Sequence, residues 1–263
     1  LPYYRRPLWL AGFALFLASS FGGSTVTISL LPVTILAPLG AVTLVSNALF
    51  AKWLLADPFS VQAFLATILV VLGGLLIGIF GALPLPSHDL ASLITLYQRP
   101  AFIAFFTVTE VLVLALLGVI YLLGVQERRA ARYPPHRTMI RGLLYGIVSG
   151  MLCSQSLLFA KSGIELLIVT LQQGNNQFTN PLAGFILLAL VVTSLSQLYF
   201  LNRSLELCST LVIAPLTFCS YNLSTLLNGL IYYDQFQALA PYQLALVLVG
   251  AVILSIGVCI LSV

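Results

Sequence analysis

The chain has 263 residues, 60% apolar and only 7% charged, where an ordinary soluble domain is roughly one quarter charged. The formal charge of +4 would suit nucleic acid, but the basic residues follow a different pattern. Arg5, Arg6, Lys52, Arg128, Arg129, Arg132, Arg137, Arg141 and Arg203 fall on one side of successive apolar spans, and only Arg99 and Lys161 on the other. The solvent is therefore a bilayer, nucleic acid is excluded as a partner, and the positive-inside rule places both ends of this chain in the cytoplasm.

The first apolar span, about 8 to 30, follows Arg5-Arg6. It exceeds a signal-peptide core and has no small-x-small cleavage site, so it reads as a retained helix. Pro7 to Ala51 carries no charge over 45 residues, about twice the roughly 20 that one crossing needs. It is two crossings, with the turn at Pro32. The remaining spans are about 33 to 55, 60 to 81, 101 to 123, 139 to 160, 180 to 201, 207 to 231 and 240 to 262. The fold class is all-α: a polytopic transmembrane helix bundle in an endomembrane or the plasma membrane.

Pro32 to Phe59 resembles, over most of its length, the stretch 177 positions later, Ser209 to Phe236. Ala37-Pro38-Leu39 falls on Ala214-Pro215-Leu216, Asp57 on Asp234, and Gly73 on Gly250. The copies lie five crossings apart, an odd number, so the repeat is expected to be inverted. Extending the offset backwards pairs span one with span six and leaves span five, Met139 to Ala160, unpaired. Its partner would precede Leu1, which predicts nine helices in the intact protein, eight of them here. The organisation expected is a single membrane domain over 1–263. Its first half is 1–81, followed by a connector helix and basic cytoplasmic loop over 82–137, then the second half over 138–263.

Pro38 and Pro215 lie inside their spans, where proline frees a carbonyl one turn earlier. A freed carbonyl in a membrane must face protein or water. Polar residues follow each proline at helical spacing: Gly40, Thr43 and Asn47, then Thr217, Ser220, Ser224 and Asn228. Thr43 falls on Ser220 and Asn47 on Ser224. They line a shared central cavity in one reading and supply interhelical hydrogen bonds in the other.

Glu110 stands about ten residues into span four, where an ionisable group is a functional candidate by default; a hydrogen-bonded structural role is the alternative. Gln155, Gln197 and Asn202 are further amides that could line a path. Asp57 and Asp234 read as helix-end groups, and Lys52 as a snorkelling lysine. Gly142, Gly146 and Gly150 form a stripe for close helix packing on span five. Lys161 and Glu165 follow on a helical extension, and Gln172 to Asn176 reads as a turn.

Cys153, Cys208, Cys219 and Cys259 are scattered without CxxC spacing and read as buried free thiols. His88 and His136 both fall in loops, so no zinc cluster is expected. No GxSxG, HExxH or phosphate loop occurs. An enzyme is not expected, no cofactor is expected, and no metal-ligand set is assigned.

The segment Pro32-Val33-Thr34-Ile35-Leu36-Ala37-Pro38-Leu39-Gly40 resembles the NIPA-type magnesium transporter family, a branch of the drug/metabolite transporter superfamily. The likeness runs through the chain, including Tyr145-Gly146-Ile147-Val148-Ser149-Gly150 and Gln197-Leu198-Tyr199-Phe200-Leu201-Asn202. Ala160-Lys161-Ser162, Asn176-Gln177-Phe178 and Tyr221-Asn222 look most like the fungal, uncharacterised NIPA-like branch. The resemblance implies nine helices with inverted-repeat topology and adds Thr34 to the candidate lining residues. Better-known members carry Gly-Glu-x-x-Asn-Phe in the helix before the Pro-x-Thr segment. Here that window reads Ser19-Ser20-Phe21-Gly22-Gly23-Ser24-Thr25, with no acid.

The resulting expectation is an integral membrane transporter working by alternating access, with magnesium or another divalent cation as cargo. Two alternatives stand beside it: a small polar metabolite carrier of the same fold, and a non-transporting membrane scaffold. Candidate substrate-binding residues are Thr34, Pro38, Thr43, Asn47, Glu110, Gln155, Gln197, Pro215, Ser220 and Ser224. The partners expected are the lipid bilayer and the transported cation or polar solute; the oligomeric state is not set by the sequence.

Overall fold

A computed structural model describes residues 7–36, 38–40, 42, 46, 61–81, 90–129, 135–173, 180–234 and 239–261. In chain order the helices are α1 (Pro7–Leu30), α2 (Val61–Phe80), α3 (Leu90–Tyr97), α4 (Pro100–Arg129), α5 (Pro135–Gln173), α6 (Pro181–Leu207), α7 (Thr210–Tyr232) and α8 (Pro241–Leu261). Residues 33–36, 38–40, 42 and 46 are helical as well. No strand occurs among the described residues, so the all-α expectation holds.

Where the preceding residues are described, α4, α6 and α8 open on proline, whose fixed φ suits the first helical position and whose missing N–H costs nothing there. At α6 the preceding Asn180 side chain completes the start by accepting from Leu182 N at 3.0 Å. The turn expected at Pro32 falls there, between α1 and the helical residues from Val33. Among the described residues four helices are both long and apolar enough to cross a membrane: α4, α5, α6 and α8. Large apolar side chains such as Leu112, Leu188, Leu195 and Val252 point outward, as they do where lipid replaces water.

Three sequence expectations change. The basic stretch from Gln126 to Arg141 is mostly helical rather than a loop, because α4 continues to Arg129 and α5 starts at Pro135. Polar pairing between the two extensions holds them together: Arg141 donates to Glu127, and Thr138 Oγ1 to Glu127 Oε1 at 3.2 Å. Secondly, the eight-residue α3 packs Leu93 and Tyr97 into the apolar cluster around Leu158 and Tyr232; it is too short to register as a span. Thirdly, the thiols are less buried than expected. Cys259 is exposed and the other three are half-buried.

The long helix α5 is the centre. It packs most extensively against α6 and α7 and also meets α4 and α1, while α2 packs chiefly on α8. Gly150 permits the α5–α7 approach: a Cβ there would lie 2.6 Å from Thr217 O and 2.9 Å from Tyr221 N. The α2–α8 contact is reciprocal. A Cβ on Gly73 would lie 2.7 Å from Gly250 O, and one on Gly250 would lie 3.0 Å from Gly73 O. These two residues are equivalent under the 177-residue offset.

Candidate functional site

The residues 154, 155 and 156 define the site's geometry, because successive helical positions point 100° apart. Ser154 Oγ accepts from Asn228 Nδ2 of α7 at 2.6 Å. Gln155 Nε2 donates to Glu110 Oε1 of α4 at 2.6 Å. Ser156 Oγ meets Ser194 Oγ of α6 at 2.6 Å. Three consecutive side chains thus bond to three different helices, which places this part of α5 between α4, α6 and α7.

Polar burial continues along α5 in both directions. Ser149 Oγ donates to Gln197 O at 2.9 Å. Further on, the buried Lys161 donates to Ile28 O and Leu31 O of the α1 end, and Tyr97 OH meets Ser162 Oγ at 2.9 Å. Of the buried polar residues, Ser149, Ser154, Gln155, Ser156, Lys161, Ser162 and Glu165 all belong to α5, more than all other described elements together. A bilayer offers such groups no water, so each must be paired within the bundle or face an internal solvated path.

Several polar atoms are buried without a hydrogen-bond partner, notably Gln197 Oε1, Thr217 Oγ1, Asn222 Oδ1 and Thr225 Oγ1. Three of the four belong to α7. An unpaired buried acceptor calls for an explanation such as bound water or cargo.

At the α3 end of α5, aromatic rings close the bundle. Tyr97 and Tyr232 lie 4.8 Å apart, Phe102 and Tyr232 5.0 Å, and Tyr232 and Tyr233 4.8 Å between centroids. Beside them Arg99 pairs with Asp234 at 2.7 Å, Asp234 being the left-handed residue (φ 56°) just past α7.

The candidate residues divide as follows. Glu110 and Gln155 are brought together directly. Thr34 is buried, donates to Gly81 O at 3.3 Å and packs against Gly229, linking the α1 turn to α2 and α7. Pro38 is buried and lines an apolar groove of about 340 Å³ with Leu39, Val42, Val70, Val71 and Leu75. Pro215 is buried too, so neither proline faces lipid. Ser220 and Ser224 are half-buried, and the stripe they belong to faces α5, with Thr217 beside Gly146 and Ser220 beside Gly150. Gln197 contributes its backbone carbonyl to Ser149, its side-chain oxygen remaining bare. Thr43 and Asn47 lie outside the described residues.

From the sequence the glycines mark α5 as a packing helix and Gln155 as a candidate lining amide; Ser154 and Ser156 on either side of Gln155, in an otherwise apolar span, are the further sign of its central position. Among the described residues no three His, Cys, Asp or Glu side chains converge on one point.

An apolar shell around one polar central helix, with a carboxyl group held inside the span, is the architecture of a polytopic helical membrane protein. A family model described as Magnesium transporter NIPA matches residues 1–263, and the chain belongs to that family. Relatives include the probable magnesium transporter NIPA8 of Arabidopsis thaliana, 25% identical over 99% of this chain and 59% of its own length. The magnesium transporter NIPA4 of Mus musculus is 22% identical over 98% of this chain and 60% of its own, and the human NIPA-like protein 2 is 22% identical over 99% and 64%. The chain thus spans about 60% of the length of these relatives. No solved structure matches it.

Proposed function

We propose that the protein is a membrane transporter of magnesium or another divalent cation, working by alternating access around the polar face of α5. The observation that carries this reading is the Glu110–Gln155 hydrogen bond, 2.6 Å long, inside the transmembrane span. An ionisable group there is costly, and a cation path is its usual use. Family membership and the names of the relatives point the same way. Magnesium sheds water reluctantly and binds through one or two carboxylates while keeping several waters. A sparse acid supply on a neutral, hydroxyl-rich path suits a cation that stays mostly hydrated.

The reciprocal Gly73–Gly250 contact supports an inverted repeat, since a two-fold relation makes residue i meet j and j meet i. Proteoliposomes holding the protein, loaded with a magnesium-sensitive dye, test the proposal: uptake should be saturable and should fall about tenfold with Glu110→Gln, the change expected for a barrier raised by about 1.4 kcal/mol. Absence of uptake by the unmodified protein would reject it.

The neutral character of Ser149, Ser154 and Asn228 favours a second reading, a small polar solute as cargo. Uptake of no cation, together with thermal stabilisation by a polyol or amide, would select it.

A further inference from the structure

The chain has two lysines, Lys52 and Lys161, and Lys161 is 3% exposed. Its Nζ donates to Ile28 O and to Leu31 O, each at 2.8 Å, and lies 3.5 Å from Glu165 Oε1. Ile28 and Leu31 stand at the C-terminal end of α1, where carbonyls lose their intrahelical donors. Pro32 follows and has no N–H to offer them. Two carbonyl oxygens at the negative pole of a helix and one carboxylate therefore converge on a single point.

That is a hard-oxygen donor set of the kind magnesium and calcium take, and a lysine ammonium fills it. At a buried helix end a serine or a water would satisfy the carbonyls without the desolvation that an ammonium and a carboxylate both suffer. Lysine differs from those in having a compact charge on a flexible four-carbon stem, which can leave a site and return to it. The site also has a closure beside it. Ser162, the next residue, meets Tyr97 OH, and Tyr97 packs on Phe102 and Tyr232, with the Arg99–Asp234 pair at the same end.

We propose that Ile28 O, Leu31 O and the Glu165 carboxylate form a cation site at the α3 end of the bundle, in which the Lys161 ammonium is a tethered resident that the transported divalent cation displaces. The inference rests on the transport reading above and goes beyond it in assigning a site and an occupant. When the cation arrives, the ammonium swings toward the headgroups on its apolar stem. When the cation leaves, the ammonium returns, so the emptied site does not hold a carboxylate and helix-end carbonyls without a counter-charge. The Tyr97–Tyr232 contact is the barrier that must part for the exchange.

Reductive methylation of the full-length protein in liposomes tests this, with mass spectrometry reading Lys161 and with Lys52 as the internal reference. Saturating magnesium chloride should raise Lys161 modification several-fold relative to Lys52, and sodium chloride of equal ionic strength should not. If the same preparation takes up magnesium while the Lys161 to Lys52 ratio stays constant, the site is wrong and the transport reading survives; if it takes up none, both fall.

Lys161→Met provides a second readout. Removing a resident competitor should tighten magnesium binding about tenfold, since apparent affinity scales with the fraction of sites free, and Lys161→Met with Glu165→Gln should reverse the gain. Unchanged or weaker binding in a folded Lys161→Met protein would reduce Lys161 to a helix cap. Should that variant fail to fold, the methylation ratio decides alone.

Discussion

Replacing Glu110 by leucine leaves the Gln155 amide, 1% exposed, without the acceptor it holds at 2.6 Å. Interhelical hydrogen bonds in membranes average about 0.6 kcal/mol and reach about 1.7. Bonds to ionisable partners run to about 1.5–3 kcal/mol, and an orphaned buried donor costs about 1–3. Because Gln155 is buried on the helix that α4, α6 and α7 pack against, it cannot turn outward to lipid or water, and the upper part of these ranges applies. The expected loss is about 1–3 kcal/mol, or roughly five- to 150-fold in the unfolding equilibrium.

Titration of the full-length protein with sodium dodecyl sulfate, followed by tryptophan fluorescence, measures that loss. Combining Glu110→Leu with Gln155→Leu should recover most of it, giving a coupling of about 1–2 kcal/mol in the double-mutant cycle. Glu110→Gln retains an acceptor oxygen, so its stability should stay within about 0.5 kcal/mol of the parent while magnesium uptake falls. Strict additivity of the two leucine variants would refute the pairing. Full uptake by a stable Glu110→Gln protein would confine the carboxyl to a structural role.

Other outcomes follow from the packing. Gly150→Val must push α7 away, since the new Cβ would meet Thr217 O at 2.6 Å. It should cost about 1–3 kcal/mol by the same titration, whereas Gly184→Ala, with nothing within 4 Å, should gain up to about 1 kcal/mol from helix propensity. Arg141→Gln leaves the Glu127 side chain, 4% exposed, with Thr138 alone; it should destabilise by about 3 kcal/mol, the low end for breaking a buried pair because Arg141 is itself partly exposed. Gln197→Met removes a buried oxygen that has no partner and should stabilise by about 1 kcal/mol. A loss of stability there would mean that the oxygen holds a water or cargo in the membrane.

Much of the frame was legible in the chain. Apolar runs located α1, α2 and α4 to α8 to within a few residues, apart from the extensions at either end of α5 and the far ends of α4 and α6. Those extensions carry charge, which ends an apolar run without ending a helix. The pairing of Glu127 with Arg141 ties the far end of α4 to the start of α5. The octapeptide α3 escaped because a helix lying at the bundle end does not need the length of a crossing.

The site was less legible. Glu110 and Gln155 were both identifiable as polar residues inside spans, yet nothing in their spacing says that they meet. The α7 stripe of Thr217, Ser220, Ser224 and Asn228 was visible as a helical period, and its direction toward α5 was not. Lys161 read as a residue near the end of an extended helix, because its partners are the backbone carbonyls of Ile28 and Leu31, and a backbone oxygen leaves no mark in a sequence.

The sequence by itself determined the solvent, the crossings and the resemblance between two stretches 177 residues apart, because burial in lipid is a property of each span's own composition. Only the tertiary structure decided which helix is central. Inside a bilayer most outward positions are apolar whatever lies within, so the ranking of helices by depth is set by contacts among segments remote in the chain. Serines 154 and 156 and Gln155 take their meaning from α7, α6 and α4 closing around them.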